Sequence, residues 1–445
     1  MKKNLKKFIA LLAVLAMCVS MLAACKSDTD GKDSQNGAQV TKPADNSGTD
    51  QSNTAEPVNI TWYESTDNEA FATAVADAFN ASQSGIHCEL VLIPNDDYVT
   101  KTKTMLTGGS GDIDVFHVNG VALANSYGFN EVTYDLSDFL ANSDLDISKY
   151  GGKIEYGTLD SGYLAAMPEG WGGWFLYYNK DIFDKEGIPY PEQLTWNEYA
   201  ELAKSLTKVK DDGTQQWGGY YPSWTLNLYA LQFSNYLTDE DMTHTKEALE
   251  FMNRIYNVDK SHMDMATMTA TSADPIAMFE SGNVAMMING EWGLGQIKDQ
   301  EDQGLANVNW SMTYLPTPDG VPAKTGVGGI SYVGINNNSK HPNEGWEFIK
   351  FLVGPEGAKI YASYGNLPAY VDDEIGQGYL NYYPYDCASL LFDPELKINA
   401  EQGKDPNYSS ILDLFRNNAE LYLLGEESSD DAINGFISDR ETVAE

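Results

Sequence analysis

A chain of 445 residues with 28 Lys and Arg against 65 Asp and Glu carries a formal net charge of −37, which nucleic acid and anionic membrane surfaces repel. Its length calls for two or three folded units, each able to bury a core. Aromatic residues make up 12%, including 27 Tyr and 9 Trp, more than packing demands and enough to line a stacking cleft.

Lys2, Lys3, Lys6 and Lys7 precede an apolar run from Phe8 to Leu22 that is too short for a stop-transfer helix and ends in small residues. Residues 1–24 therefore read as a secretory signal peptide. The exit sequence Leu22-Ala23-Ala24-Cys25 resembles the bacterial lipobox, in which cleavage precedes the Cys and its sulfur takes a diacylglyceryl group. Cys25 is the expected lipidation site, and its acyl chains are the expected contact with the membrane, each buried methylene contributing about 0.8 kcal/mol. From Cys25 on, residues 25–56 are dominated by Ser, Thr, Asp, Asn, Gln, Gly and Lys, with Val40 the one branched aliphatic residue. Such a stretch cannot bury enough apolar surface to offset its ordering entropy and reads as a tether.

Cys18 leaves with the signal and Cys25 is acylated, so Cys88 and Cys387 are the two thiols left, too few for a disulfide framework. They are isolated, and no His pair has zinc-ligand spacing, so no metal is expected.

From Pro57 onward the pattern alternates strands and helices. Val58 to Tyr63 predicts a strand, and Glu69 to Ser82 a helix with Phe71, Val75 and Phe79 on one face. A strand over Ile86–Ile93, a helix over Asp97–Leu106, a strand over Ile113–Val118 and a helix over Val121–Tyr127 follow. This order predicts a parallel sheet covered by helices, with ligands beyond the carboxyl ends of its strands. That places Tyr63, Glu64 and Ser65, and then Asn119 and Gly120, at the candidate site.

A second α/β unit begins near Glu169 with a strand over Trp174–Asn179 and a helix N-capped by Thr195, with Glu198 completing a capping box. Helices are predicted at Ser223–Tyr236, His244–Tyr256 and Ala273–Glu280. A strand follows at Val284–Ile288, feeding the turn Asn289-Gly290-Glu291-Trp292, and Gly326–Ile335 is a Gly-rich strand segment.

The run MPEGWGGWFLYYNKDIFDKEGIPYPEQLTWNEYAELAKSLT resembles the central segment of extracellular solute-binding proteins of sugar ABC importers, the family that includes maltose-binding protein. GGSGDIDVF, MFESGNVAMMINGEW, LPTP, GVGGISYVGINNNS, WEFIKFLVGPEGAK and YGNLPAY flank it in the family's order, so the resemblance covers roughly Asn59 to Arg440. It implies a periplasmic-binding-protein-like (type II) α/β fold with two lobes, a hinge and a ligand cleft between them. Residues 57–168 plus 322–372 would form lobe 1, and 169–321 plus 373–445 lobe 2. The resemblance also implies a carbohydrate ligand, no cofactor, no catalysis, action as a monomer, and delivery to the transmembrane subunits of an ABC permease.

A sugar ring offers hydroxyls to polar side chains and a C–H face to an aromatic plate. The clusters that combine both are Glu169, Trp171 and Trp174 at the lobe junction, Tyr221 with Trp224, and Glu291 with Trp292. By resemblance, Trp292 sits where the family's INGxW turn supplies a stacking Trp, and Trp224 near a position where maltose-binding protein supplies an aromatic. Trp62, Glu64, Asn119 and Tyr332 are further candidate contacts, whereas Trp196 and Trp346, among apolar helix neighbours, are expected in the core. The region Tyr408–Phe415, which aligns with a late stacking Trp of maltose-binding protein, has no Trp, leaving Tyr408 as the only substitute there.

Other classes fare worse. No GxxxxGK[ST] occurs, so ATP hydrolysis is not expected. Ser205 to Lys208 fits SxxK without its SDN and KTG companions, and Lys149 occupies the Gly position of the calcium-loop-like run from Asp144. A lipid-anchored glycan hydrolase using a pair from Glu64, Glu169 and Glu291 remains open, as does a binding protein of this fold for a polyamine, peptide or other solute. An anion is disfavoured because no Lys or Arg falls in the candidate loops.

Overall fold

A computed structural model describes residues 56–305 and 308–443 of the chain. The signal-peptide reading and the lipidation site at Cys25 lie outside the described residues, as does all of the tether reading but its last residue, Glu56.

The described residues open with β1 (Val58–Ser65), α1 (Glu69–Ser82), β2 (Ile86–Ile93), α2 (Asn95–Thr107), β3 (Val115–Asn119) and α3 (Val121–Phe129). Phe71, Val75 and Phe79 recur every four residues along α1 and are all buried. β4 (Met167–Trp171) then leads through Gly172 and Gly173 into β5 (Trp174–Asn179). After α4 (Trp196–Leu206) come β6 (Lys208–Val209), β7 (Gln215–Tyr220), α5 (Thr243–Asn253), β8 (Val284–Gly290), α6 (Gly293–Asp302), β9 (Trp310–Tyr314), β10 (Thr325–Gly328) and β11 (Ile330–Ile335). The chain finishes with α7 (Pro342–Val353), α8 (Pro355–Ser363), α9 (Asp373–Tyr382), β12 (Lys397–Ala400), α10 (Tyr408–Leu423) and α11 (Ser429–Glu441).

Among the described residues the strands form two five-stranded sheets and a small third one. The first has the order β2-β1-β3-β11-β4, the second β6-β7-β8-β5-β9, and β10 pairs with β12 in parallel. Each large sheet with its helices is one lobe. The parallel sheet expected from the first strands is half right: β2, β1 and β3 are parallel, but β11 runs antiparallel to both β3 and β4. The reason is topological, because β11 re-enters the first sheet from β10 and the hinge and runs against the strands already there.

The hinge is built from glycine. Gly172 N donates to Gly329 O at 2.9 Å, bringing the β4–β5 link against the β10–β11 link. A Cβ on Gly328 would strike the carbonyl of Gly172, so this approach admits no side chain. A further link, between α8 and α9, is tied to β4 where Trp171 N donates to Leu367 O at 3.0 Å and Ala369 N to Glu169 O at 2.9 Å.

Trp62 is fully buried in the first lobe, its ring 5.0 Å from Phe348 and 6.4 Å from Phe71. In the second, Trp196 packs on Tyr199, Tyr221 and Phe251 while its Nε1 donates to Gln232 Oε1 at 2.7 Å. The Thr195–Glu198 capping box that starts α4 is present as expected. The helix expected over Ser223–Tyr236 shrinks to Leu228–Leu231. Asn399 Nδ2 donates to the carbonyls of Leu231 and Gln232, which a longer helix would use itself, and Ser234 turns left-handed at φ 58°. Cys88 and Cys387 are free thiols.

Candidate functional site

A cleft of about 410 Å3 opens beyond the carboxyl end of β3, within the size range of small-molecule sites. Lobe 1 contributes Asn119, Gly120, Ser331 and Tyr361, and the link after α8 contributes Asn366. Glu291 and Trp292 come from the turn after β8, Tyr379 and Tyr383 from α9 and its end, and Glu401 and Gln402 from the exit of β12. Trp171, Gly172 and Gly329 form the hinge side. A larger surface groove, about 1180 Å3, lies at the opposite, amino end of the first sheet around Val58, Ile86 and Trp346. Both lobes, the hinge and the end of β3 converge on the smaller cleft.

Glu291 is pinned to the hinge. Gly173 N donates to its Oε2 at 3.0 Å, and its own N donates to Gly173 O at 2.9 Å. Burial, reinforced by the nearby charge of Glu401, pushes the Glu291 carboxyl up to about 8, so it is a donor as well as an acceptor at neutral pH. Burial also raises Glu401, whose Oε2 accepts from Trp174 Nε1 at 3.4 Å. Trp292 is 42% exposed, resting edge-on against buried Trp174. Across the cleft, Gln402 Oε1 accepts from Ala122 N, at the first turn of α3, at 3.1 Å.

Asn119, Trp171, Glu291 and Trp292 therefore meet in one cleft. Trp62 does not join them, because Ile60 and Trp62 share the face of β1 that packs on α1 and α7. Glu64 and Glu169 lie on lobe 1 strands and are buried, Glu169 accepting from or sharing a proton with His117 Nδ1 at 2.9 Å. Burial raises the Glu64 pKa; it opposes charge on His117, but the two carboxylates outweigh it and lift the imidazole above its ordinary value. Trp174 supports Trp292 from the core, at 2% exposure.

Tyr332 is fully buried against Gly157, and Tyr408, the substitute considered for a missing Trp, is buried as well. Tyr221 sits in the second core beside Trp196, whereas Trp224 is exposed on the surface; neither lines the cleft. One basic residue lies near the cleft without belonging to its loops. Lys153 Nζ lies 4.9 Å from the centre of the Trp171 ring, in a side cavity of about 270 Å3 behind it, where burial pulls the Lys153 pKa down to about 8. Among the described residues, however, no Lys, Arg or His lines the main cleft.

Sequence reasoning missed Tyr361, Tyr379, Tyr383, Glu401 and Gln402. The tyrosine-dense stretch Tyr379, Tyr382, Tyr383 and Tyr385 was a usable signal, being too rich in hydroxyls for ordinary core.

The arrangement has counterparts. The family model for bacterial extracellular solute-binding proteins matches residues 64–359. The chain belongs to that family. Its two-sheet fold agrees with solved relatives. A sugar transporter from Rhizobium etli, solved in an open conformation, shares 29% identity over 85% of this chain and 98% of its own, with a TM-score of 0.77. An ABC substrate-binding protein from Listeria monocytogenes in complex with cycloalternan shares 22% identity over 87% of this chain and 99% of its own, with a TM-score of 0.74. A lactose-binding protein from Rhizobium radiobacter is 24% identical over 343 residues, covering 73% of this chain and 78% of the relative.

Proposed function

We propose that this solute-binding protein captures a sugar, an oligosaccharide by preference, in the interlobe cleft and delivers it to the transmembrane subunits of an ABC permease. The observation that carries the reading is the convergence of Trp171 and Trp292 with Glu291, Glu401 and Asn119 at one cleft, with contributions from both lobes and from the hinge. Indole faces match the C–H face of a pyranose, and the carboxyl and amide groups match its hydroxyls. The raised pKa of Glu291 favours a neutral polyol over a polyamine, because a carboxyl that keeps its proton attracts cations weakly. The relatives named for lactose and sugar binding support the same class.

The mechanism is binding without chemistry. A ligand touching both lobes stabilises the closed arrangement in proportion to its differential affinity, and the permease reads closure. The chain acts as a monomer, exported by its signal peptide and held at the outer face of the cell membrane by a lipid on Cys25. Mass spectrometry of the membrane fraction tests the anchor, expecting a diacylglyceryl mass on Cys25 and its loss in Cys25→Ala. Incubation of an oligosaccharide series with the purified protein tests the absence of chemistry: saturable binding with unaltered sugar supports the reading, and release of shorter products opposes it.

A further inference from the structure

Below the lobe 1 wall of the cleft lies a cluster that sugar capture does not use. Glu64 near the end of β1, His117 on β3 and Glu169 on β4 offer ligand atoms that all lie within 4.8 Å of one another. His117 Nδ1 is 2.9 Å from Glu169 Oε2 and 3.6 Å from Glu64 Oε2. The carboxylate side chains are 0% and 1% exposed, and the imidazole is 11% exposed.

Hydrogen bonding within the protein leaves this cluster incomplete. Glu64 Oε1 accepts from Ser65 N at 2.8 Å and Asn68 Nδ2 at 2.9 Å, while Glu64 Oε2 and Glu169 Oε1 are buried with no hydrogen-bond partner among the described residues. No Lys or Arg pairs with either carboxylate among the described residues, so one imidazole faces two acids. A buried, uncompensated carboxylate oxygen is costly, and a cation is the group that satisfies such an excess.

We propose that Glu64, His117 and Glu169 bind one divalent transition-metal ion of the zinc class. Ligand bonds of about 2.0–2.2 Å in tetrahedral geometry set ligand atoms roughly 3.4 Å apart, and the two measured separations bracket that spacing. One imidazole nitrogen with carboxylate oxygens suits zinc better than calcium or magnesium, which take all-oxygen shells. Binding releases the imidazole proton from Nδ1, so that its lone pair meets the metal. The ion would tie together β1, β3 and β4, two of which carry Asn119 and Trp171 into the cleft wall, making it a structural ion for the site.

The test uses the untagged full-length chain, stripped with chelator and dialysed against zinc, then assayed for metal content and thermal stability. The proposal expects close to one zinc per chain, a rise in melting temperature reversed by chelator, and tetrahedral ligand-field bands when cobalt(II) replaces zinc. His117→Ala should abolish binding. Because that variant leaves two buried acids facing each other and could unfold, Glu64→Gln serves as the near-isosteric check: it should retain the native circular dichroism and bind zinc about tenfold or more weakly. No stoichiometric zinc in the native protein, or equal uptake by native protein, His117→Ala and Glu64→Gln, would overturn the site and leave an adventitious ion only.

Discussion

Trp292 stands edge-on to Trp174, with ring centroids 5.0 Å apart and planes at 82°. The buried ring holds the exposed one, leaving the Trp292 surface open at the cleft. Trp292→Ala should weaken oligosaccharide binding by about tenfold or more, roughly 1.4 kcal/mol, and change the melting temperature by no more than about 2 °C. Trp174→Ala should instead cost about 3–5 kcal/mol of folding stability. Calorimetric titration and thermal melting of the two variants separate these roles.

Trp62 should behave as core alone. Trp62→Ala removes the packing against Phe348 and Phe71 and should lower stability by about 3–5 kcal/mol while the folded fraction keeps its sugar affinity. Denaturant unfolding gives the first quantity and titration below the transition gives the second.

Glu401 should prove a ligand contact. Glu401→Ala removes a cleft carboxyl and the acceptor for Trp174 Nε1, and should reduce affinity by about tenfold, with Glu401→Gln recovering part of the loss. Titration of both variants measures the effect, and wild-type affinity in Glu401→Ala would remove the residue from the site.

Glu291 gives stability a pH signature. Its pKa is about 8 in the folded chain against 4.5 as the ordinary value, so the unfolded chain loses this proton first as pH rises. The contribution is full below about 4.5, declines between about 4.5 and about 8, and is lost above that. Melting temperatures across this window should fall less steeply with pH in Glu291→Gln than in wild type.

The hinge leaves little room for side chains. A Cβ on Gly328 meets the Gly172 backbone, whereas one on Gly172 meets the carboxyl group of the Glu291 side chain. Gly328→Ala should therefore lower the melting temperature, and Gly172→Ala should mainly displace Glu291 and weaken binding. Parallel melts and titrations distinguish the two.

The fold was readable because its local signals agree with its topology. Phe71, Val75 and Phe79 marked α1, and Thr195 with Glu198 marked the start of α4. Trp292 was singled out by the resemblance, which sets it where the family's INGxW turn supplies a stacking Trp. Ile60 and Trp62 alternate on one strand face, a core signal outweighed by the attraction of a Trp beside Glu64. Tyr332 was harder to place, since the backbone that covers it, at Gly157, is far away in sequence. Glu401 was invisible for a similar reason: only the pairing of β12 with β10 brings Ala400-Glu401-Gln402 to the cleft, and nothing local marks it.

Sugar capture in the cleft is tested most directly by isothermal titration of the native protein and Trp292→Ala against a panel of oligosaccharides differing in sugar and length, with spermidine alongside. The account predicts saturable, one-to-one binding of one sugar series to the native protein, weakened by about tenfold or more in the variant, with no heat from spermidine. Silence across all the sugars with saturable binding of spermidine, or equal sugar affinity in both proteins, would contradict it.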